Sequence, residues 1–296
     1  MMRWVLLSGT AWVALALGAD AQDISISGTA EAGLSFDSDA DDEITFENDI
    51  DFVITGSGQS DTGFEFGAFI ELDEDTTGGG TGPNNGVEDA EVFFSGRFGT
   101  FTLGDIDPAT DGFGINDIGF SGLGVDDVAE QFRNATAGAD VLYTYSAGGF
   151  TIVASAEVGD QQSLGLSAEY ATGPINLGIG YVDDSDEDNS AVSLKAGYSF
   201  GRVAVSGLYS DWSEGSQGYG VDVTVDTGPA RVTAAWAQAS GTAADAEDGV
   251  GDAYGIGVDL PMGGGLTLSG GLGRIETDAV GDGAKTVADF GVTMSF

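Results

Sequence analysis

From Ile24 to Phe36 the even positions read Ile24, Ile26, Gly28, Ala30, Ala32, Leu34 and Phe36, and the odd positions Ser25, Ser27, Thr29, Glu31, Gly33 and Ser35. A period of two predicts a strand with one apolar and one polar face. The same alternation returns over 62–71 (Phe64, Phe66, Ala68, Ile70), 150–158 (Phe150, Ile152, Ala154, Ala156, Val158) and 163–171 (Leu164, Leu166, Ala168, Tyr170). It returns again over 175–182, 190–200 and 218–227, where Val192, Leu194, Ala196, Tyr198 and Phe200 oppose Ser193, Lys195, Gly197 and Ser199. Helical stripes at i, i+3, i+4 are scarce.

The connectors fall into two kinds that take turns along the chain. Short, tight ones lie at 56–61, 96–97, 147–149, 172–174, 201–202, 228–229 and 261–265. Longer, acidic and polar ones lie at 37–43, 73–86, 105–140, 159–162, 183–189, 211–217, 240–252 and 276–284. Seven short turns and eight longer loops join sixteen predicted strands. Strands of about nine to eleven residues with short turns at one end and long loops at the other are the pattern of a transmembrane barrel. A soluble sandwich also alternates, but its hairpins do not sort into a short end and a long end. Closure into a ring also removes the sheet edges that hydrocarbon does not tolerate. The fold class expected is all-β, a sixteen-stranded antiparallel transmembrane barrel.

Composition narrows the chemistry. The 296 residues carry 49 acids against 8 bases, a net charge of -41, with no cysteine and no histidine. That balance argues against nucleic acid, whose phosphates need a basic footprint. The missing residues exclude disulfides, thiolate catalysis, Ser-His and Cys-His nucleophile pairs and Cys-ligated metals. A hydrolase built on a barrel of this kind would need the histidine that is absent, so no enzyme is expected. At 42% hydrophobic and 10% aromatic the chain is too apolar for a solvated coil. The two kinds of residue must occupy separate surfaces.

At the N-terminus Met1-Met2-Arg3, an apolar stretch from Trp4 to Leu17 and Ala19-Asp20-Ala21 follow the order of an export signal: basic head, apolar body, A-x-A cleavage site. The run is too short to span a bilayer as a helix. Residues 1–21 are therefore expected to be removed near Ala21, leaving a barrel over residues 22–296. The loss of Arg3 and Asp20 together leaves the net charge unchanged.

The last strand, from Lys285, ends on Phe290, Val292, Met294 and Phe296 at alternate positions. With no loop beyond it, it needs a partner, and the strand beginning at Ile24 is the one available to close the ring. A terminal aromatic after alternating apolars is also what outer-membrane barrels present to their assembly machinery. Four further stretches carry a family likeness: S-D-T-G-F-E-F-G-A-F (60–69), V-F-F-S-G-R-F-G-T-F-T-L-G-D (92–105), V-L-Y-T-Y-S-A-G-G-F (141–150) and the final G-V-T-M-S-F. Taken together, the chain resembles the general porins of Gram-negative outer membranes, in their alphaproteobacterial branch. The resemblance implies homotrimers of sixteen-stranded barrels in contact with outer-membrane lipid and lipopolysaccharide, passing small hydrophilic solutes.

Compact folds rarely keep a structureless loop as long as residues 105–140 unless it has a task. The resemblance assigns it the role of the loop that folds into a porin barrel and narrows it, and Asp111-Gly112-Phe113-Gly114 echoes the Pro-Glu-Phe-Gly-Gly core of the enteric proteins. On it lie Asp105, Asp107, Asp111, Asp117, Asp126, Asp127 and Glu130, opposed by Arg133. Alternation places Glu31, Glu47, Asp49, Asp51, Glu65, Glu71 and Glu91 on the lumen wall, with Lys195 as the best wall base. General porins oppose an acidic loop with a basic wall cluster; here that cluster is nearly missing.

With a Debye length of about 8 Å at physiological salt, wall charge acts across a porin-sized opening. Carboxylates ~5 Å apart repel by roughly 1 kcal/mol at water's dielectric and ~3 kcal/mol at an effective value of 20. The expectation is a cation-selective lumen in which some acids have raised pKa values. Two further acidic clusters, Asp37, Asp39, Asp41 and Asp42 in the first long loop and Asp183, Asp184 and Asp186 in the fifth, have the oxygen chemistry that suits Ca²⁺ without the spacing of a known calcium loop. No cofactor is otherwise expected. Tyr170, Tyr181, Tyr198, Tyr209, Trp212, Trp236 and Tyr254, near strand ends, are expected to form aromatic girdles. The competing reading is a soluble or surface-attached acidic calcium-binding β-protein.

Overall fold

The computed structural model describes residues 23–75, 84–134, 138–159, 162–185, 189–241, 250–277 and 283–296. The expected export signal, residues 135–137 of the long connector and Asp186 lie outside the described residues. Sixteen strands follow one another: β1 (Asp23–Asp37), β2 (Ile44–Gln59), β3 (Glu65–Asp75), β4 (Asn84–Gly96), β5 (Gly99–Ile106), β6 (Ala139–Ala147), β7 (Phe150–Ala156) and β8 (Ser163–Thr172). The second half holds β9 (Ile175–Asp184), β10 (Asn189–Phe200), β11 (Val203–Trp212), β12 (Gln217–Asp226), β13 (Arg231–Ser240), β14 (Gly251–Gly263), β15 (Leu266–Thr277) and β16 (Ala284–Ser295). One short helix, α1 (Asp127–Glu130), lies between β5 and β6.

Each strand pairs antiparallel with its neighbours in sequence, and β1 pairs with β16 to close the ring. The closing register sets Leu34 against Phe290, Ala32 against Val292 and Ala30 against Met294. Beyond it, the Phe296 amide donates to the Gly28 carbonyl at 3.0 Å and the Gly28 amide to the Phe296 carbonyl at 2.8 Å. The Phe296 ring meets Phe52 edge-on, centroids 5.7 Å apart.

The two faces are those the alternation predicts. Outward positions are apolar and exposed all round the ring, among them Ile26 and Leu34 (β1), Leu166 (β8), Leu194 (β10), Ile256 (β14) and Phe290 (β16). Among the described residues no second sheet covers them. A soluble β-protein would bury such a face, and a barrel in hydrocarbon has no need to.

The short connectors are tight hairpins. Gly148 and Gly149 join β6 to β7 with φ of +61° and +85°, the paired positive angles of a turn whose twist matches its strands. Beside these turns Phe64, Phe94, Phe98, Phe101 and Tyr143 form a run of packed rings, with centroids 4.7 to 6.5 Å apart. At the long-loop end Tyr181 and Tyr254 face outward. Trp212 departs from the expected girdle. With Leu208 and Ser210 it sits on the inner face of β11, buried, its ring 5.3 Å from Phe132.

The long connector is shorter than the pattern suggests. β5 runs to Ile106 and β6 starts at Ala139, so Asp105 and Asp140 belong to strands. Asp105 is exposed where the β5–β6 register shifts between Leu103 and Ile106, so it is not part of the loop.

Candidate functional site

Inside the ring, residues 107–134 fold back against the barrel wall. Phe113, Ile115, Ile118, Leu123, Val125, Val128 and Phe132 are all buried there, so the molecule's apolar core lies between loop and wall. Side chains of this size each contribute roughly 1.5–3 kcal/mol when buried.

The wall accepts them because its inward positions are glycines. A Cβ at Gly178 would meet Phe113, one at Gly220 would meet Ile115, and one at Gly255 would meet Ile118. Phe120 lies over both Gly33 and Gly291, and Leu123 and Val125 lie over Gly271 and Gly273. The outgoing limb thus crosses the wall from β9 to the β16–β1 seam. The returning limb carries α1 back past β14, β13, β12 and β11. What the loop leaves uncovered is the wall from β2 to β6.

Polar staples fix both limbs. The Ala109 amide donates to Ser155 Oγ at 2.9 Å. Lys195 Nζ donates to the Gly112 carbonyl at 2.9 Å, pairs with Glu169 at 2.9 Å and lies 4.5 Å from the Phe113 ring centroid. Asp222, fully buried on β12, accepts from Asn116 Nδ2 at 2.7 Å and from the Asn116 amide at 3.3 Å. Asp289 Oδ2 on β16 accepts the Phe120 and Ser121 amides at 2.7 and 2.6 Å and the Ser121 hydroxyl at 3.0 Å.

Several loop acids serve the loop itself. Arg133, buried, pairs with Glu130 and, at 3.2 Å, with Asp111. Glu130 also accepts the Ile115 amide at 2.9 Å, tying the two limbs together. Asp126 is buried while Asp117 and Asp127 are exposed to the lumen. Burial pushes the Asp126 carboxyl well above the ordinary carboxylate value, and the negative charges of Asp117 and Asp127 push it the same way. Asp107 is half-buried where the loop leaves β5.

The predicted wall acids face inward. Glu31 accepts the Thr293 hydroxyl at 3.2 Å, Asp51 the Thr29 hydroxyl at 3.0 Å, and Glu65 the Ser95 hydroxyl at 3.5 Å. Asp49 stands opposite Glu31 in the β1–β2 register, Glu47 is buried on β2, and Glu71 and Glu91 lie on the inner faces of β3 and β4. Strands β1 to β9 contain neither lysine nor arginine. The acidic wall is therefore the one the loop leaves open. Lys195, expected as a wall charge, acts instead as a clamp in an ion pair. Lys285 pairs with Asp37 at 3.0 Å.

The two acidic loop clusters spread rather than converge. Asp37 accepts the Asp39 amide at 2.9 Å besides its Lys285 pair, while Asp39, Asp41 and Asp42 are exposed. Asp183 accepts the Tyr181 and Ser185 hydroxyls at 2.8 and 3.0 Å, and Asp184 is buried. Among the described residues no group of three or more acidic ligands is placed to hold a metal ion.

Asp222 and Asp289 escape a reading that looks for pore charges, because they serve the loop rather than the solute. Their position on the inner face of their strands is the one signal in the sequence that points to them.

Comparison with known proteins agrees with this architecture. The chain is 28% identical to the porin of Rhodobacter capsulatus over 314 residues, covering 93% of this chain and all of that one. It is 24% identical to the porin of Fuscovulum blasticum over 303 residues with the same coverage of each. Its fold superposes on a triple mutant of Rhodopseudomonas blastica porin with a TM-score of 0.75 at 21% identity, covering 93% of this chain and all of that one. A five-site mutant of the same porin gives 0.74 at 22% with the same coverage. The sequence profile of the Gram-negative porins matches residues 8–280. With a closed sixteen-stranded barrel, an apolar exterior and a loop folded into its lumen, the chain belongs to the Gram-negative porin family.

Proposed function

We propose that this outer-membrane porin is a passive, cation-selective diffusion channel whose narrowest passage lies between the inward-folded loop and the acidic wall of β1 to β4. The observation that carries the selectivity is the charge map. Glu31, Glu47, Asp49, Asp51, Glu65, Glu71 and Glu91 line the open wall, and no base occurs in strands β1 to β9. Of the inner-face bases, Arg133, Lys195 and Lys285 are each held by a carboxylate, and Arg231 stands at the short-turn end of β13 opposite Asp226 and Asp259 in register. Rings of carboxylates in a confined lumen concentrate cations and exclude anions. Binding strong enough to trap solute is not needed for this, since the field acts on passing ions.

The reading extends to assembly. Residues 1–21 are an export signal cleaved near Ala21, the strand ending at Phe290, Val292, Met294 and Phe296 is read by the barrel assembly machinery, and the barrels associate as homotrimers among outer-membrane lipids. The exposed carboxylates of the first and fifth long loops bind divalent cations loosely, without a defined site.

The test is the reversal potential of the purified protein in a planar bilayer across a potassium chloride gradient at neutral pH. Cation preference is expected. Anion preference would refute the charge map while leaving the barrel intact.

A further inference from the structure

Two aromatic rings stand on the inner face of the wall that the loop leaves open. Phe69 on β3 shares that face with Glu65, Gly67 and Glu71, and Phe93 on β4 shares it with Glu91 and Ser95. Among the described strand residues the inner face carries one other aromatic, Trp212, and Phe132 of the loop packs on it. Phe69 and Phe93 have no such cover. Both are only half-buried, and neither belongs to the run of packed rings beside the short turns. Packing of the loop therefore does not account for them.

Register fixes what surrounds them. Phe69 stands directly opposite Glu91, and Phe93 directly opposite Gly67, so the two rings are diagonal neighbours across β3 and β4. Opposed side chains on one face start about 5 Å apart and diagonal ones about 7–8 Å. Glu71 follows Phe69 on the same face, and Glu65 lies diagonal to Phe93. Each ring thus has carboxylates one step away, and no base from strands β1 to β9 stands among them. The positions that would crowd the rings are glycines. The Phe93 ring lies over Gly67, where a Cβ would meet it, and Gly104 of β5 stands opposite Glu91. Just beyond the patch the β3–β4 register shifts between Ile70 and Leu72. Irregularities of this kind re-aim side chains and gather beside functional sites.

We propose that Phe69, Phe93 and Glu91, with Glu65 and Glu71 beside them, form a weak binding site in the passage for organic cations that carry a flat apolar group. The face of an aromatic ring attracts a cation lying within about 6 Å of its centre. The carboxylate beside the ring supplies the opposite charge, and the second ring offers a surface on which the flat group stacks. An inorganic cation draws on the carboxylates alone, and an anion is repelled by them. The wall thereby discriminates among cations of equal charge and similar size, which charge by itself does not do. The patch is shallow and open to the lumen, so the bound solute can leave, as conduction requires. The site rests on the cation-selective reading above and goes beyond it.

The purified protein is recorded in a planar bilayer with three probes. Phenyltrimethylammonium has the ring and the positive charge, tetraethylammonium has a similar size and no ring, and benzenesulfonate has the ring and the opposite charge. Phenyltrimethylammonium is expected to reduce the potassium current at a concentration about tenfold below that of tetraethylammonium. Benzenesulfonate should not reduce it at either concentration. Phe69→Leu and Phe93→Leu keep the apolar volume and remove the ring, and the double variant should bring the ratio of the two cations close to unity. Glu91→Gln should weaken both cations. Equal effects of the two cations on the wild type, an unchanged ratio in the double leucine variant, undiminished binding in Glu91→Gln, or an equal effect of benzenesulfonate would each overturn the site. The wild-type comparison decides the matter even if a variant fails to fold. A wild-type reversal potential that favours cations, with no preference between the two organic ones, sinks the site alone. One that favours anions sinks the charge map beneath it.

Discussion

Asp289 on β16 and Phe120 at the tip of the inward loop are joined twice. The Asp289 carboxylate accepts the Phe120 amide at 2.7 Å, and the Phe120 ring lies over Gly291, two residues further along the same strand. One strand thus supplies both the polar anchor and the apolar seat for the point where the loop reverses. Hydrogen bonds to a charged acceptor contribute about 1.5–3 kcal/mol each. Replacement by Asp289→Ala should loosen the tip by ~3 kcal/mol or more. Single-channel recordings should then show added current noise and sub-states, with the heat-modifiable migration of the barrel unchanged. Quiet, wild-type conductance would mean that the apolar seat alone holds the loop.

Gly291→Leu tests the seat. A side chain at this position takes the space of the Phe120 ring, so the ring must leave. Because the substitution leaves the backbone pairing of β1 with β16 available on either side of Gly291, the barrel should still close. The loop should become accessible to limited proteolysis near Phe120, and unit conductance should change. Protection equal to the wild type would contradict the packing described.

Selectivity should follow the open wall. Asp49→Asn and Asp51→Asn each remove one carboxylate from β2, and the double variant should bring the cation-to-anion permeability ratio measurably closer to unity. Replacing Asp105, exposed on β5 outside the loop, should change the ratio less. The wild-type ratio should also fall as salt rises, because the screening length shrinks from about 8 Å at 0.15 M to about 3 Å at 1 M. A ratio independent of salt would point to sieving rather than to charge.

The buried Asp126 gives a pH dependence of defined sign. Its carboxyl titrates above the ordinary value because burial, and then Asp117 and Asp127, disfavour its charge. A group raised in this way binds more protons folded than unfolded. Its contribution is intact below the ordinary carboxylate range and is lost as pH rises through the raised value. Amide exchange in α1 should therefore speed up across that window relative to Asp126→Asn, which lacks the titration. Parallel profiles for the two proteins would rule out Asp126 as the source.

Much of the architecture was legible because two neighbouring media impose one rule. Hydrocarbon outside and water inside force a period of two, and sixteen such runs with alternating short and long connectors leave few arrangements besides a ring. The same rule, followed by parity, would have turned Trp212 inward, since Leu208 and Ser210 precede it on one face of β11. Proximity to a strand end suggested a girdle instead. The ends of β5 and β6 were less legible because a shifted register interrupts the alternation there. Roles within the lumen were the least legible. Lys195 looks like a pore charge until Glu169 and the Gly112 carbonyl are placed around it. Those partners come from β8 and from a loop 83 residues away in sequence, and no local pattern brings them together. The glycines of the inner wall carry no signal of their own, since their purpose appears only when Phe113, Ile115 and Ile118 lie on them.

The seam between β1 and β16 also has a kinetic meaning. Glu31 meets Thr293 across 262 residues of chain, so β1 has to wait for the strand it finally pairs with. Until then two bare ribbon edges and a coat of exposed oily side chains travel together. Topologies dominated by such distant pairings fold slowly and are vulnerable to clumping on the way. The folded ring itself, with no edge left to offer, is immune to the hazard its own assembly creates.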